Sequence, residues 1–155
     1  MNIHTKSVWI SMLLAACGSM AFGAEKPIPQ MKLPAAVQKA AAEQSHGATV
    51  RRYVQDVEGG RMEYEMEMLV HGHSKDVTFA SDGRLLEVEE QVDLQKLAPV
   101  VQSALRSRAG KGTIQKVESI TKQGKLVAYE AQVLIDGRHR EIQTGANGER
   151  LARNE

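Results

Sequence analysis

Apolar and polar residues alternate along residues 61–70, which read RMEYEMEMLV. Met62, Tyr64, Met66, Met68 and Val70 occupy one set of alternate positions, and the glutamates between them occupy the other. A period of two residues over this length predicts a β-strand with one dry face and one solvated face. X-Gly pairs between such segments favour hairpin turns. The neighbouring segments are therefore predicted as strands over residues 48–57, 73–80 and 84–90, with turns at Gly59-Gly60, His71-Gly72 and Asp82-Gly83.

A different pattern precedes these strands. Residues 33–44, LPAAVQKAAAEQ, contain alanine and straight-chain residues that favour a helix, and Pro34 is tolerated in the first turn. Leu33, Val37 and Ala41 lie on one side of that helix, so it is predicted to pack on a sheet. Residues 97–110 repeat the pattern and end at Gly110, a typical residue after a helix.

The second predicted helix is also followed by alternating segments. They predict strands over residues 113–120, 125–135, 138–144 and 149–153, with turns at Gly124, Asp136-Gly137 and Asn147-Gly148.

The two halves align with each other. Leu33 aligns with Leu97 and Thr49 with Thr113, each 64 residues later. The remaining strands align if one residue is inserted near Gly124 in the second half. The sequence therefore predicts an α+β fold made by tandem duplication of a helix plus a four-stranded antiparallel meander. Because one such unit would bury little apolar surface alone, the two are expected to form one extended antiparallel sheet with two helices on one face.

The N-terminal residues predict export. Lys6, an apolar run over residues 8–16 and small residues after it are typical of a signal peptide over 1–23, and the run is too short to span a bilayer. Ala21-Phe22-Gly23 suits a general signal peptidase. Alternatively, LAAC (14–17) resembles a lipobox, with a lipoprotein signal over 1–16 and a lipid anchor at Cys17. The first reading predicts a periplasmic or secreted protein, the second an outer-membrane lipoprotein, and neither leaves a transmembrane segment in the mature chain.

Charge argues against two classes of partner. The 155 residues include 20 Lys+Arg and 19 Asp+Glu, which gives a formal net charge of +1, and like charges do not cluster into a basic stripe. A nucleic-acid-binding protein normally has such a stripe, and a membrane-surface helix has a Lys/Arg face. Neither partner is expected.

The solvated face of the predicted sheet is the candidate partner-binding surface. Its candidate residues are Glu63, Glu65, Glu67, Glu130 and Gln132. The alternative reading of these residues is a solvated sheet face that charge keeps soluble.

His71 and His73 are weak candidates for a metal site, because two nearby imidazoles can share a zinc or copper ion. The aligned turn, Asp136-Gly137-Arg138, has no histidine, which favours a turn role for His71. No cofactor is expected. The sequence has no nucleophile elbow, phosphate loop or zinc motif, so an enzyme is not expected either.

The segments LPAAVQKA, EYEMEMLVHGHSKDVTFASDGRLLEVEE and YEAQVLIDGRHREIQTGANGERL resemble the PepSY-like domains of exported bacterial proteins and the related beta-lactamase-inhibitor-protein-like fold. The resemblance covers nearly all of residues 33–155. The proline-containing segment 24–32 is predicted to be a linker, and the resemblance implies a first repeat over 33–92 and a second over 93–155. It also implies a non-enzymatic module that binds or inhibits another exported protein, such as a peptidase. The alternative is a small-ligand or metal-binding periplasmic protein.

Overall fold

The structure is a computed structural model that describes residues 26–152. Its two α-helices are α1 (Ala35–Gln44) and α2 (Pro99–Ala109). Its strands, in chain order, are β1 (Lys26–Ile28), β2 (Thr49–Glu58), β3 (Arg61–Val70), β4 (His73–Ala80), β5 (Leu85–Gln91), β6 (Thr113–Lys122), β7 (Lys125–Ile135) and β8 (Arg138–Gly145).

The eight strands form one antiparallel sheet in which spatial order follows chain order from β1 to β8. Short turns connect most neighbours, whereas a 3₁₀ turn and α1 connect β1 to β2, and a 3₁₀ turn and α2 connect β5 to β6. The predicted α+β class and the single antiparallel sheet are confirmed.

Both helices lie on the same face of the sheet. In an antiparallel ladder, directly paired residues project to the same side. Met66 under α1 pairs with Val77, and Val77 pairs with Val88, so Val88 of β5 projects to the same side as Met66. Glu90 lies two positions after Val88 and pairs with Ser119 of β6. Ser119 in turn lies two positions after Val117, which is buried under α2, so α2 lies on the same face as α1.

Two apolar clusters fill the space between the helices and the sheet. The cluster under α1 consists of Leu33, Val37, Ala41, Met66, Met68, Val77 and Phe79. The cluster under α2 consists of Val101, Leu105, Ala109, Val117, Ala131 and Val133. Met66 and Met68 are buried as the alternation predicts, but Met62 is 37% exposed because it lies near the end of β3, beyond the reach of α1.

Two X-Gly turns, one after β4 and one after β8, lie against the first turns of the helices. Gly83 has a positive φ of 82°, and a Cβ atom there would lie 2.6 Å from the carbonyl oxygen of Ala36. Gly148 has a φ of 83°, and its Cβ would lie 2.9 Å from the carbonyl oxygen of Val100. Glycine is required in both turns by conformation and by close approach.

The predicted linker over 24–32 is partly regular structure. β1 pairs with Tyr53–Gln55 of β2, and a 3₁₀ turn follows at Gln30–Lys32. Pro27 and Pro29 obscure this strand in the sequence, but a proline is tolerated in a strand at the edge of a sheet.

The strand predicted over 149–153 is not formed in its described part, residues 149–152, so three strands follow α2 rather than four. The Asn147-Gly148 turn does form, but the segment after it contains no β-branched or aromatic residue to favour a strand. The duplication and its boundaries remain predictions.

The predicted signal segment and Cys17 lie outside the described residues. Within residues 26–152, neither helix is long and apolar enough to cross a membrane.

Candidate functional site

The face of the sheet opposite the helices contains a cavity of about 450 Å³ with strongly acidic walls. We call it the acidic face. Its lining residues are Arg52, Glu65, Glu67, Asp76, Thr78, Glu87, Glu89, Lys116, Glu118, Glu130, Gln132, Glu141 and Gln143. Eight carboxylates thus face two cationic side chains. A second depression of about 400 Å³ continues along the same face and includes Glu63.

Strand register places these carboxylates side by side. Glu67 of β3 pairs with Asp76 of β4, and Asp76 pairs in turn with Glu89 of β5. On the other half of the sheet, Glu118 pairs with Glu130. Like charges directly opposite each other destabilise a sheet, so this face needs protons or cations for compensation.

Glu118 lies at the centre of the acidic face and is only 2% exposed. Its Oε1 atom accepts a hydrogen bond from the Ser74 hydroxyl at 2.9 Å and another from Lys116 Nζ at 2.7 Å. Lys116 is the cation bonded to this buried carboxylate, so the charge of Lys116 mainly offsets that of Glu118.

Two neighbours of Glu118 hold protons more tightly than usual. The pKa of Asp76 is raised to about 6, chiefly by burial and then by the negative charges of Glu118 and Glu67, against the opposing effect of Lys116. Burial also raises the pKa of Glu89 to about 9, with a further contribution from its hydrogen bond to the Glu87 carboxyl. At neutral pH, Glu89 is therefore protonated.

The β7–β8 side has a similar group. Burial raises the pKa of Glu130 to about 7, although a hydrogen bond donated by Gln143 Nε2 at 2.8 Å acts in the opposite direction. Glu130 is 8% exposed, so it is not the solvated residue that the sequence predicted. Burial likewise raises the pKa of Glu63 in the adjoining depression.

Ion pairs border the acidic face on two sides. The Arg52 guanidinium contacts Glu67 Oε1, and Lys122 Nζ lies 3.1 Å from Glu87 Oε2. In the cavity between these ion pairs, acidic side chains still outnumber cationic ones.

The structure places all five predicted site residues on this side of the sheet. Four of them line the acidic cavity: Glu65, Glu67, Glu130 and Gln132. Glu63 lies in the adjoining depression, which also contains Glu65.

Sequence reasoning missed Asp76, Glu89 and Glu118 as members of the site. Glu89 alternates with Val88 in the sequence, and that signal could have assigned it to the solvated face. Glu118 gave no such signal, because β6 has apolar residues in both sets of alternate positions, for example Val117 and Ile120. Register shifts interrupt the alternation in β6.

The histidine pair and the carboxylates differ as metal candidates. His71 occupies a positive-φ turn position (52°), and both His71 and His73 are exposed. Within residues 26–152, the group that brings three potential ligands together is instead Asp76, Glu89 and Glu118, with one oxygen from each within 4.8 Å of the others. Carboxylate oxygens suit hard divalent cations such as Ca²⁺.

Comparison with known proteins identifies the fold. A BLIP-like protein from Bacteroides fragilis matches with a TM-score of 0.54 and 18% identity, covering 78% of this chain and 82% of that one. A DUF2874 family protein from Bacteroides ovatus matches with a TM-score of 0.56 and 20% identity, covering 75% and 82%. The chain has a BLIP-like fold.

A third similar structure is that of a protein from Bacteroides eggerthii that is provisionally assigned to the periplasm. It matches with a TM-score of 0.60 and 17% identity, covering 76% of this chain and 84% of that one. The sequence matches no protein-family model and no curated protein.

Proposed function

We propose that this protein is a non-enzymatic, exported binding module that acts on another envelope or secreted protein through its acidic face. The observation that carries the proposal is the cavity of about 450 Å³, in which seven acidic side chains besides the protonated Glu89 outnumber the two cations. A partner that supplies Lys or Arg side chains would neutralise carboxylates that the sheet already holds half-buried.

The partner class is narrower if the family resemblance applies. The PepSY-like resemblance implies binding or inhibition of exported proteins, and a peptidase is the most specific version. The BLIP-like fold supports an inhibitory role, since the B. fragilis protein is described by its likeness to a beta-lactamase inhibitor protein.

We place the mature protein in the periplasm or outside the cell. The signal-like residues 1–23 support export, and so does the provisional periplasmic description of the B. eggerthii protein. The lipid-anchored form, with Cys17 as its N-terminus, is the alternative.

Affinity capture tests the proposal. The tagged mature protein is incubated with the native envelope fraction, beside a Glu63→Ala, Glu65→Ala, Glu67→Ala variant. Glu43→Ala is the matched control, because Glu43 is an exposed carboxylate on α1. We expect one exported protein to be retained by the wild type and the control and lost, about tenfold or more, with the triple variant. Retention by all three proteins would contradict the acidic face as the binding surface.

The alternative function, binding of a metal or small ligand, predicts a different result. Calorimetric titration with Ca²⁺, Mg²⁺, Zn²⁺ and Cu²⁺ would then show stoichiometric binding to the protein alone. Loss of that binding in Asp76→Asn would assign it to the carboxylates, whereas loss in His71→Ala with His73→Ala would assign it to the histidines. Absence of binding leaves the protein-binding function as the better explanation.

A further inference from the structure

β8 forms one edge of the sheet. It pairs with β7 along its whole length, and no later strand covers it within the described residues. The amide of Gly145 points away from β7, because it donates to the Glu149 carbonyl at 2.9 Å. Backbone groups alternate in direction along an antiparallel strand, so those of His139 and Glu141 also point away from β7.

The corresponding edge of β4 is not open, because β5 pairs with it. After β4, the Gly83 amide donates to the Ala80 carbonyl and the Ala80 amide donates to the Arg84 carbonyl, each at 2.9 Å. The turn after β8 has the same two bonds, from Gly148 to Gly145 and from Gly145 to Glu149. β5 follows the first turn and pairs with β4, whereas no strand follows the second turn through residue 152.

β5 therefore shows what kind of segment this edge accepts. Glu90 of β5 lies opposite Lys75 of β4, and their charged atoms are 2.7 Å apart. Val88 lies opposite the buried Val77. An acidic residue two positions after an apolar one is thus the pattern that pairs with β4.

β8 offers a matching row of side chains. Arg140 occupies the position of Lys75, and the half-buried Ile142 occupies that of Val77. Arg138 and Arg140 are exposed and make no salt bridge to any residue in 26–152. The far end of the edge is closed, because Arg108 donates hydrogen bonds to the carbonyls of Gln143 and Glu149. The open part therefore spans residues 138–142.

We propose that the open edge of β8 binds an extended segment of another exported protein as an added antiparallel strand. The segment places an apolar residue opposite Ile142 and an acidic residue opposite Arg140. Backbone hydrogen bonds to His139 and Glu141 provide affinity, and the two side-chain positions provide selectivity. This edge is a second contact surface, separate from the acidic face.

The test uses a capped peptide, VQEQV with a glycine at each end, added to the isotope-labelled mature protein. The peptide copies residues 88–92, with Gln in place of Glu89 because that residue would face Glu141. We expect saturable NMR shifts of the backbone amides over 138–142. His139→Pro should abolish them, because proline removes an outward N–H without breaking the β7 ladder. His139→Ala is its matched control and should bind normally.

Charge exchange tests the side-chain pattern. Arg140→Glu should weaken VQEQV binding about threefold or more, and the peptide VQKQV should recover the loss on that variant. Absence of saturable shifts in β8 would overturn the proposal, as would equal binding by His139→Pro. Binding that emerges only after removal of residues 153–155 would also overturn it, by assigning the edge to the chain's own tail.

The two proposed binding surfaces can be tested independently of each other. His139→Pro should still capture the acidic-face partner, and the Glu63, Glu65 and Glu67 variant should still bind the peptide.

Discussion

Single carboxyl groups determine the properties of the acidic face. The pKa values of Glu89, Glu130 and Asp76 are raised to about 9, 7 and 6, so Glu89 keeps its proton at neutral pH and the other two lose theirs at a higher pH than an ordinary carboxyl. Each group has a pKa above its value in an unfolded chain, so the folded state binds protons more tightly. The contribution of these three groups to stability is therefore largest below the pKa of an unfolded carboxyl and is lost as pH rises through their folded-state values.

Glu89→Gln tests this dependence. We expect the variant to be more stable than the wild type at pH 8, because the amide carries no charge and needs no proton. Its loss of stability between about pH 4.5 and 9, the range set by the unfolded and folded pKa of Glu89, should be smaller. Urea unfolding across this range measures both quantities. Glu43→Gln, at an exposed position on α1, should change neither. A variant that is less stable at pH 8, or equally pH-dependent, would contradict the raised pKa.

The X-Gly turns after β4 and β8 position the helices. Gly83 contacts the backbone of Ala36 and Gly148 contacts that of Val100, so each turn fixes the start of one helix above the sheet. The two X-Gly turns are predictable from sequence as strand connections. Their contact with the helices is not, because it depends on how the chain packs in three dimensions.

Gly83→Ala and Gly72→Ala form a matched pair. Both glycines have a positive φ, 82° and 86°, but only Gly83 has a neighbour within contact distance of an added Cβ. We expect Gly72→Ala to cost about 1–2 kcal/mol for the backbone conformation alone. Gly83→Ala should cost more, because the Ala36 carbonyl must also move. Chemical denaturation measures the difference, and equal losses would show that the turn does not support α1.

Most elements were predictable because period-two and helical patterns in the sequence are strong. β1 was missed because Pro27 within it and Pro29 after it resemble a linker, yet only three residues are needed to pair at the sheet edge. The strand predicted at 149–153 relied on the alignment of two turns rather than on strand-forming residues. The centre of the site was missed because the register shifts of β6 hide the direction of Glu118.

At the scale of the molecule, the fold has two unlike sides. The helices cover one face over both apolar clusters, while strand register collects buried and half-buried acids on the other. A sheet face with this much unneutralised charge is suited to a complementary protein surface. We therefore expect this face, and not the helical side, to contact the partner.

Site-specific photocrosslinking in the native envelope distinguishes the two sides of the sheet. One probe replaces Gln132 in the acidic cavity, and a control probe replaces Lys39, which is 82% exposed on α1. We predict a single protein adduct from position 132, weakened by high salt, and none from position 39. An adduct only from position 39, equal adducts from both positions, or no adduct from either would contradict the acidic face as the partner-binding surface.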